Sequence, residues 1–225
     1  MAKRTKLADR KLPDYTKGEE VFNMVTHIVG GVFGLVLLVL CIIRGAMHKG
    51  VAGVLTGIVF GLCMVILYTI SAIYHGLSPR LTGKKVMQIL DHCSVFLLIA
   101  GTYTPITICS LAKADPALAW VIFGVVWGVS AIGIVLNSID VNKYMPFSMV
   151  CYIALGWCII LSLPQLMTVL PMMAISLLFC GGLSYTAGAI MFGLGIKKHY
   201  MHSVFHIMVV VGSVFHGLMV LLFVL

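Results

Sequence analysis

Long apolar runs alternate along the chain with short polar breaks. The runs fall at about 21–43, 52–76, 87–111, 117–138, 145–163, 168–195 and 200–225. At about 1.5 Å per residue, each is long enough to cross ~30 Å of hydrocarbon as a helix. Between them lie Arg44 to Gly50, Ser78 to Lys85, Lys113 to Pro116, Asp140 to Lys143, Pro164-Gln165 and Lys197-Lys198. The pattern predicts an all-α polytopic membrane protein. A seven-transmembrane-helix bundle occupies 19–225, preceded by a basic, poorly ordered tail over 1–18. The Pro164-Gln165 break carries no charge. Joining the runs on either side of it would place Pro164 and Pro171 inside one very long helix, which their missing N–H groups disfavour.

The basic residues orient the bundle. With the N-terminus inside, the inner segments hold Lys3, Arg4, Lys6, Arg10, Lys11, Lys17, Arg80, Lys84, Lys85, Lys143, Lys197 and Lys198, against Arg44, Lys49 and Lys113 outside. The positive-inside bias therefore predicts a cytoplasmic N-terminus and an outside C-terminus. Glycines at helical spacing line one face each of run 1 (Gly30, Gly34), run 2 (Gly53, Gly57, Gly61) and run 4 (Gly124, Gly128), which predicts close helix packing there. Pro105 is expected to kink the third helix.

Composition supports the membrane reading. Of 225 residues, 61% are hydrophobic and 10% charged, with a mean hydropathy of +1.11. Soluble domains are typically about 25% charged. The net charge of +8 resides in the tail and short loops, so membrane topology accounts for it and nucleic acid is not an expected partner. The seven cysteines lie in or beside apolar runs without a C-x-x-C spacing, and read as packing residues with free thiols. No cleavable signal peptide is recognisable: the first 20 residues are polar and the first apolar run is long enough to span.

Polar groups inside the runs carry the chemistry. His202 and His206 share a helix face at the start of the last run, and i,i+4 histidines are a zinc-ligand spacing. Under the predicted topology, run 2 ends at the same inner level with Ser71 and His75. Run 3 begins there with Asp91-His92, and run 1 with Glu19, Glu20, Asn23 and His27. This agreement in depth predicts a metal site of His75, His202 and His206; hydrogen-bonded structural histidines are the alternative. No Lys or Arg lies well inside a run to pair with Asp91, and a divalent cation or its water would lower the cost of that carboxylate. Three histidines leave one position on zinc open. Asp91 then holds and deprotonates the water bound there, and Ser71 hydrogen-bonds a developing oxyanion. Asn23 and His27 lie at a depth that suits supporting a ligand, and His27 suits a packed structural histidine equally well. His92 is expected to face elsewhere, about 100° around the helix from Asp91. His199 is expected at the surface, His48 in an outer loop, and His216 as a structural polar contact deeper in the bundle.

The ordered set Glu19-Glu20-x-x-Asn23-x-x-Thr26-His27, Ser71-x-x-Tyr74-His75, Asp91-His92, Gly101-Thr102-Tyr103-Thr104-Pro105 and His202-x-x-x-His206 resembles the bacterial hemolysin III family. That family is similar to the progestin and adipoQ (adiponectin) receptors. The resemblance implies seven helices with an inner N-terminus, and zinc near the inner leaflet on His75, His202 and His206, with Asp91 acting through water and Ser71 nearby. It also implies a multi-pass protein of the bacterial plasma (inner) membrane. Ceramidases belong to the same superfamily, which implies metal-dependent hydrolysis of a lipid amide or ester. A receptor or membrane-state sensor with structural zinc, and a cytolytic pore, are the rival functions. In each reading membrane lipid is the expected substrate, ligand or surroundings.

Overall fold

In a computed structural model of the protein, residues 5–7 and 9–225 are described; Lys3 and Arg4, assigned to the inner side above, lie outside them. From Lys17 onward the described chain is helical apart from short turns. The long elements are α1 (Lys17–His48), α2 (Gly50–Gly76) and α3 (Thr82–Pro105). After α3 come a π-helical turn (Ile106–Leu111), the short α4 (Ala112–Ala114) and α5 (Pro116–Trp157). A 3-10 stretch (Cys158–Ser162), α6 (Leu163–Val169), α7 (Met172–Gly195), α8 (Met201–Met219) and a final π turn (Val220–Val224) complete the chain.

Among the described residues, six helices are long and apolar enough to cross a bilayer. The fourth of them, Pro116–Val169, is bent at Asp140, whose φ of −159° and ψ of 94° leave the helical region. This is the break expected at Asp140 to Lys143. Two other breaks are displaced. Pro164 sits in the first turn of α6, where a missing N–H removes no helical bond, and the chain reverses later, at Leu170-Pro171. The Arg44 to Gly50 break shrinks to a tight turn: α1 continues through His48, and Gly50 adopts a φ of +60° that a side chain would strain.

Helix α1 starts with a capping box. Glu19 N donates to Thr16 Oγ1 at 3.2 Å, and Thr16 N donates to Glu19 Oε2 at 2.8 Å. Its pairing with α2 depends on small residues. A Cβ on Gly45 would meet the Gly53 carbonyl carbon at 2.5 Å, and one on Gly61 would meet Leu38 at 2.6 Å. Gly124 and Gly128 differ from expectation: both are exposed with nothing within 4 Å of a built Cβ, because helical spacing defines a face without supplying a neighbour.

Of the most apolar stretch of Thr82–Ala114, 72% is buried, against 44% or less in every other long helix, so this helix is the axis of the bundle. Its Gly101 packs on Cys63 of α2, and Phe96 lies over Gly133 of α5. At Pro105 the α-helix gives way to the π turn. Pro105 supplies no N–H to the ladder, and the Thr104 and Thr107 hydroxyls donate to the Ala100 and Tyr103 carbonyls at 2.8 and 2.9 Å. Tyr103 OH donates to Leu155 O at 2.7 Å and accepts from Ile159 N at 3.0 Å, which fastens the end of α5 to the axis. Helices α7 and α8 form a hairpin with Tyr185 lying on Gly212, and α8 returns to α1, where Gly217 meets Leu37 and Phe33. Large apolar side chains such as Val32, Val51 and Leu161 stay exposed around the outside, the surface expected to face lipid.

Candidate metal centre

Four helix ends meet at one end of the bundle: the starts of α1, α3 and α8 and the end of α2. His75 lies in the last turn of α2, and His202 and His206 in the first two turns of α8. All three are buried, and one donor nitrogen from each lies within 4.8 Å of the other two. His206 Nε2 and His202 Nε2 are 3.1 Å apart. His75 Nδ1 donates to Glu20 Oε2 at 2.7 Å, while its Nε2 has no hydrogen-bond partner. Because an ionised carboxylate only accepts, Glu20 holds the proton on Nδ1 and leaves the Nε2 lone pair free. Lys84 Nζ donates to the other oxygen of Glu20 at 2.6 Å and to Leu77 O at 2.9 Å. The chain Lys84–Glu20–His75 thus ties α3, α1 and α2 together behind one of the donors.

The sequence places Glu20 at the depth of the histidines and Lys84 among the inner basic residues, and pairs neither with a partner. Lys84 falls in the Ser78 to Lys85 break, yet it is only 1% exposed. Its partner lies 64 residues away in sequence, so no local pattern reveals the pair. Glu19 likewise receives no partner from the sequence. It accepts from Tyr200 N at 2.6 Å and from His199 Nδ1 at 3.1 Å, holding the start of α8 against α1. Tyr200 has a left-handed φ of 63°, unusual for a residue with a side chain, and this bond secures it.

Asp91 is half-buried and lies outside the converging set of donors. It lines, with Ser71 and His202, one end of a cavity of about 140 Å³. From there the cavity continues between α3, α5, α7 and α8, along apolar side chains such as Ile99, Ile153, Leu178 and Val209. His92 also lines it, contrary to the expectation from its helical angle: a long side chain beside a void reaches it from a neighbouring face. His27 is buried with its ring centroid 3.9 Å from that of His206, and neither of its nitrogens has a partner. Asn23, one turn earlier, is fully buried with both amide atoms unpartnered. His216 is set apart, stacked on Tyr185 at 5.2 Å, and exposed His199 stands at the rim. His48 closes α1 at the opposite end.

Fold and site together define a polytopic helical membrane protein with a three-histidine cluster at one end of its bundle. The family described as haemolysin-III related matches residues 15–217. The chain is 34% identical over 208 residues to "Hemolysin-3" of Bacillus cereus, covering 92% of each protein. It is 32% identical over 199 residues to "Hemolysin-3 homolog" of Bacillus subtilis strain 168, covering 88% of this chain and 91% of that one. The protein belongs to the haemolysin-III family.

Proposed function

We propose that this protein is a zinc-dependent hydrolase of a membrane-lipid amide or ester. The observation that carries the reading is the convergence of His75, His202 and His206 beside a cavity that has Asp91 and Ser71 at one end and apolar walls beyond. The donor set fits zinc: the imidazoles are buried, one Nε2 is unpartnered, and three nitrogen ligands leave a tetrahedral position open. Zinc held there supplies a polarising charge and lowers the pKa of water.

The chain's own groups do the rest. Asp91 accepts a proton from the water that adds to the carbonyl carbon. Ser71 donates a hydrogen bond to the carbonyl oxygen as negative charge develops on it. The C–N or C–O bond then breaks, and the leaving amine or alcohol takes the proton from Asp91. Glu20 and Lys84 keep His75 turned toward the other donors. His27 packs against the ring of His206 and supports its orientation, with Asn23 one turn before His27. The acyl chain occupies the apolar part of the cavity. In this reading the bend at Asp140 separates two crossings, giving seven in the plasma membrane with the N-terminus inside and the C-terminus outside.

A native lipid extract incubated with wild type, Asp91→Asn and His206→Ala tests the reading by mass spectrometry. A lipid consumed by wild type alone, with fatty acid released, is the expected result. No consumption at full zinc occupancy would overturn it. One observation favours a second reading, a sensor with structural zinc: the Lys84–Glu20–His75 tie joins three helices at the site, as a structural metal would. On that reading the extract is unchanged while His206→Ala still lowers stability. The apolar cavity lining weighs against a water-filled pore.

A further inference from the structure

We infer that the N-terminal tail, through Tyr15, closes the polar mouth of the histidine cluster, so that molecules reach it from the bilayer side and water-soluble ones are excluded. This rests on the metal-site reading above and adds the route of access and the residue that sets it. Among the described residues of the tail, Arg10 is buried and Tyr15 half-buried, while Lys6, Asp9, Lys11 and Asp14 are exposed. The ring of Tyr15 stacks on His202 with centroids 4.8 Å apart and planes at 23°, and lies 5.7 Å from the ring of His75. Besides His75 and His206, the rings of Phe192 at 5.5 Å and Phe205 at 5.3 Å lie against His202, both on the walls of the apolar cavity. His202 is therefore reached from two directions, one through the bundle and one covered by the tail.

Burial, followed by the nearby charges of Asp91, Glu20 and Glu19, pushes the Tyr15 phenol well above its ordinary range. The capping box at Thr16 joins the tail rigidly to α1 immediately after Tyr15. Further back, Arg10 is only 4% exposed, and Thr5 N donates to Asp140 Oδ2 at 3.0 Å. Asp140 is the bend of α5, so the tail has a second point of attachment to the bundle there.

The test uses full-length protein in lipid nanodiscs. Zinc-loaded wild type, Tyr15→Ala, Tyr15→Phe and Arg10→Ala are mixed with excess EDTA, which is water-soluble, and zinc release is followed with a fluorescent indicator. An aromatic pair contributes about 0.5–1.5 kcal/mol, so Tyr15→Ala should release zinc roughly two- to twelvefold faster. Tyr15→Phe, which keeps the stacked ring, should match wild type, and Arg10→Ala should fall between. A second readout needs no metal: carbethoxylation of His202 by diethylpyrocarbonate, mapped by peptide mass spectrometry, should rise in the same order. Chains that never take up zinc would defeat the metal reading while leaving this second readout to decide access. Equal zinc release, or equal His202 modification where no zinc is bound, in wild type and Tyr15→Ala would overturn the closure.

Discussion

At the scale of single residues, the centre depends on how each donor is held. Purified protein should carry about one zinc per chain, as a three-histidine site predicts. His206→Ala should lose it and unfold at lower temperature, because a ligand bound only by the folded bundle stabilises it. His216→Ala, remote from the cluster, should keep the metal; elemental analysis and thermal unfolding read both. Glu20→Gln exchanges an acceptor-only partner of His75 for an amide that can present its N–H instead. Its zinc affinity should fall by about 10–100-fold, the usual cost of losing an orienting partner, measured by competition with a chelating indicator. Asp91→Asn separates holding from chemistry: zinc content should stay near wild type while lipid turnover falls by ~10²–10⁴-fold. The histidines were legible in the sequence because positive-inside topology alone put them at one depth. The pairing of Glu20 with Lys84 was not, since a salt bridge between α1 and α3 leaves no trace in the period of either helix.

At the scale of elements, close approach decides which glycines matter. Gly45→Ala forces a methyl group into the Gly53 carbonyl and should separate α1 from α2, lowering the midpoint of thermal unfolding in detergent. Gly128→Ala meets nothing and should be neutral or stabilising by about 0.5–1 kcal/mol, because alanine loses less conformational freedom in a helix. Equal loss in both variants would show that residue type, not packing, governs. Gly45 and Gly128 both lie inside long helices, and only their neighbours differ. The prolines teach the same lesson: Pro105 marks the start of the π turn, whereas Pro164 starts a helix and leaves the reversal to Leu170-Pro171.

At the scale of the whole molecule, the open quantity is how the chain threads the membrane. If the bend at Asp140 returns the chain to the inner side, reporter fusions after Lys85, Lys143 and Lys198 should all read cytoplasm. Fusions after Lys113 and Gln165 should read outside. An outside signal after Lys143 would mean that 116–169 crosses differently and that six crossings suffice. An outside signal after Lys85 would separate the level of His75 and Asp91 from the cytoplasm and contradict the orientation.

The sequence by itself determined the helical membrane class, the family resemblance and the shared depth of His75, Ser71, Asp91, His202 and His206. Hydrophobic run length, basic-residue bias and ligand spacing are local quantities, and each can be read without knowing which helices touch. Tertiary structure alone decided that Glu20 orients His75, that Lys84 is buried beneath it, that His92 reaches the cavity and that Tyr15 lies across His202. These are contacts between segments far apart in the chain. A polar residue near a helix end has the same sequence signature whether it faces water or another helix, and only packing distinguishes the two.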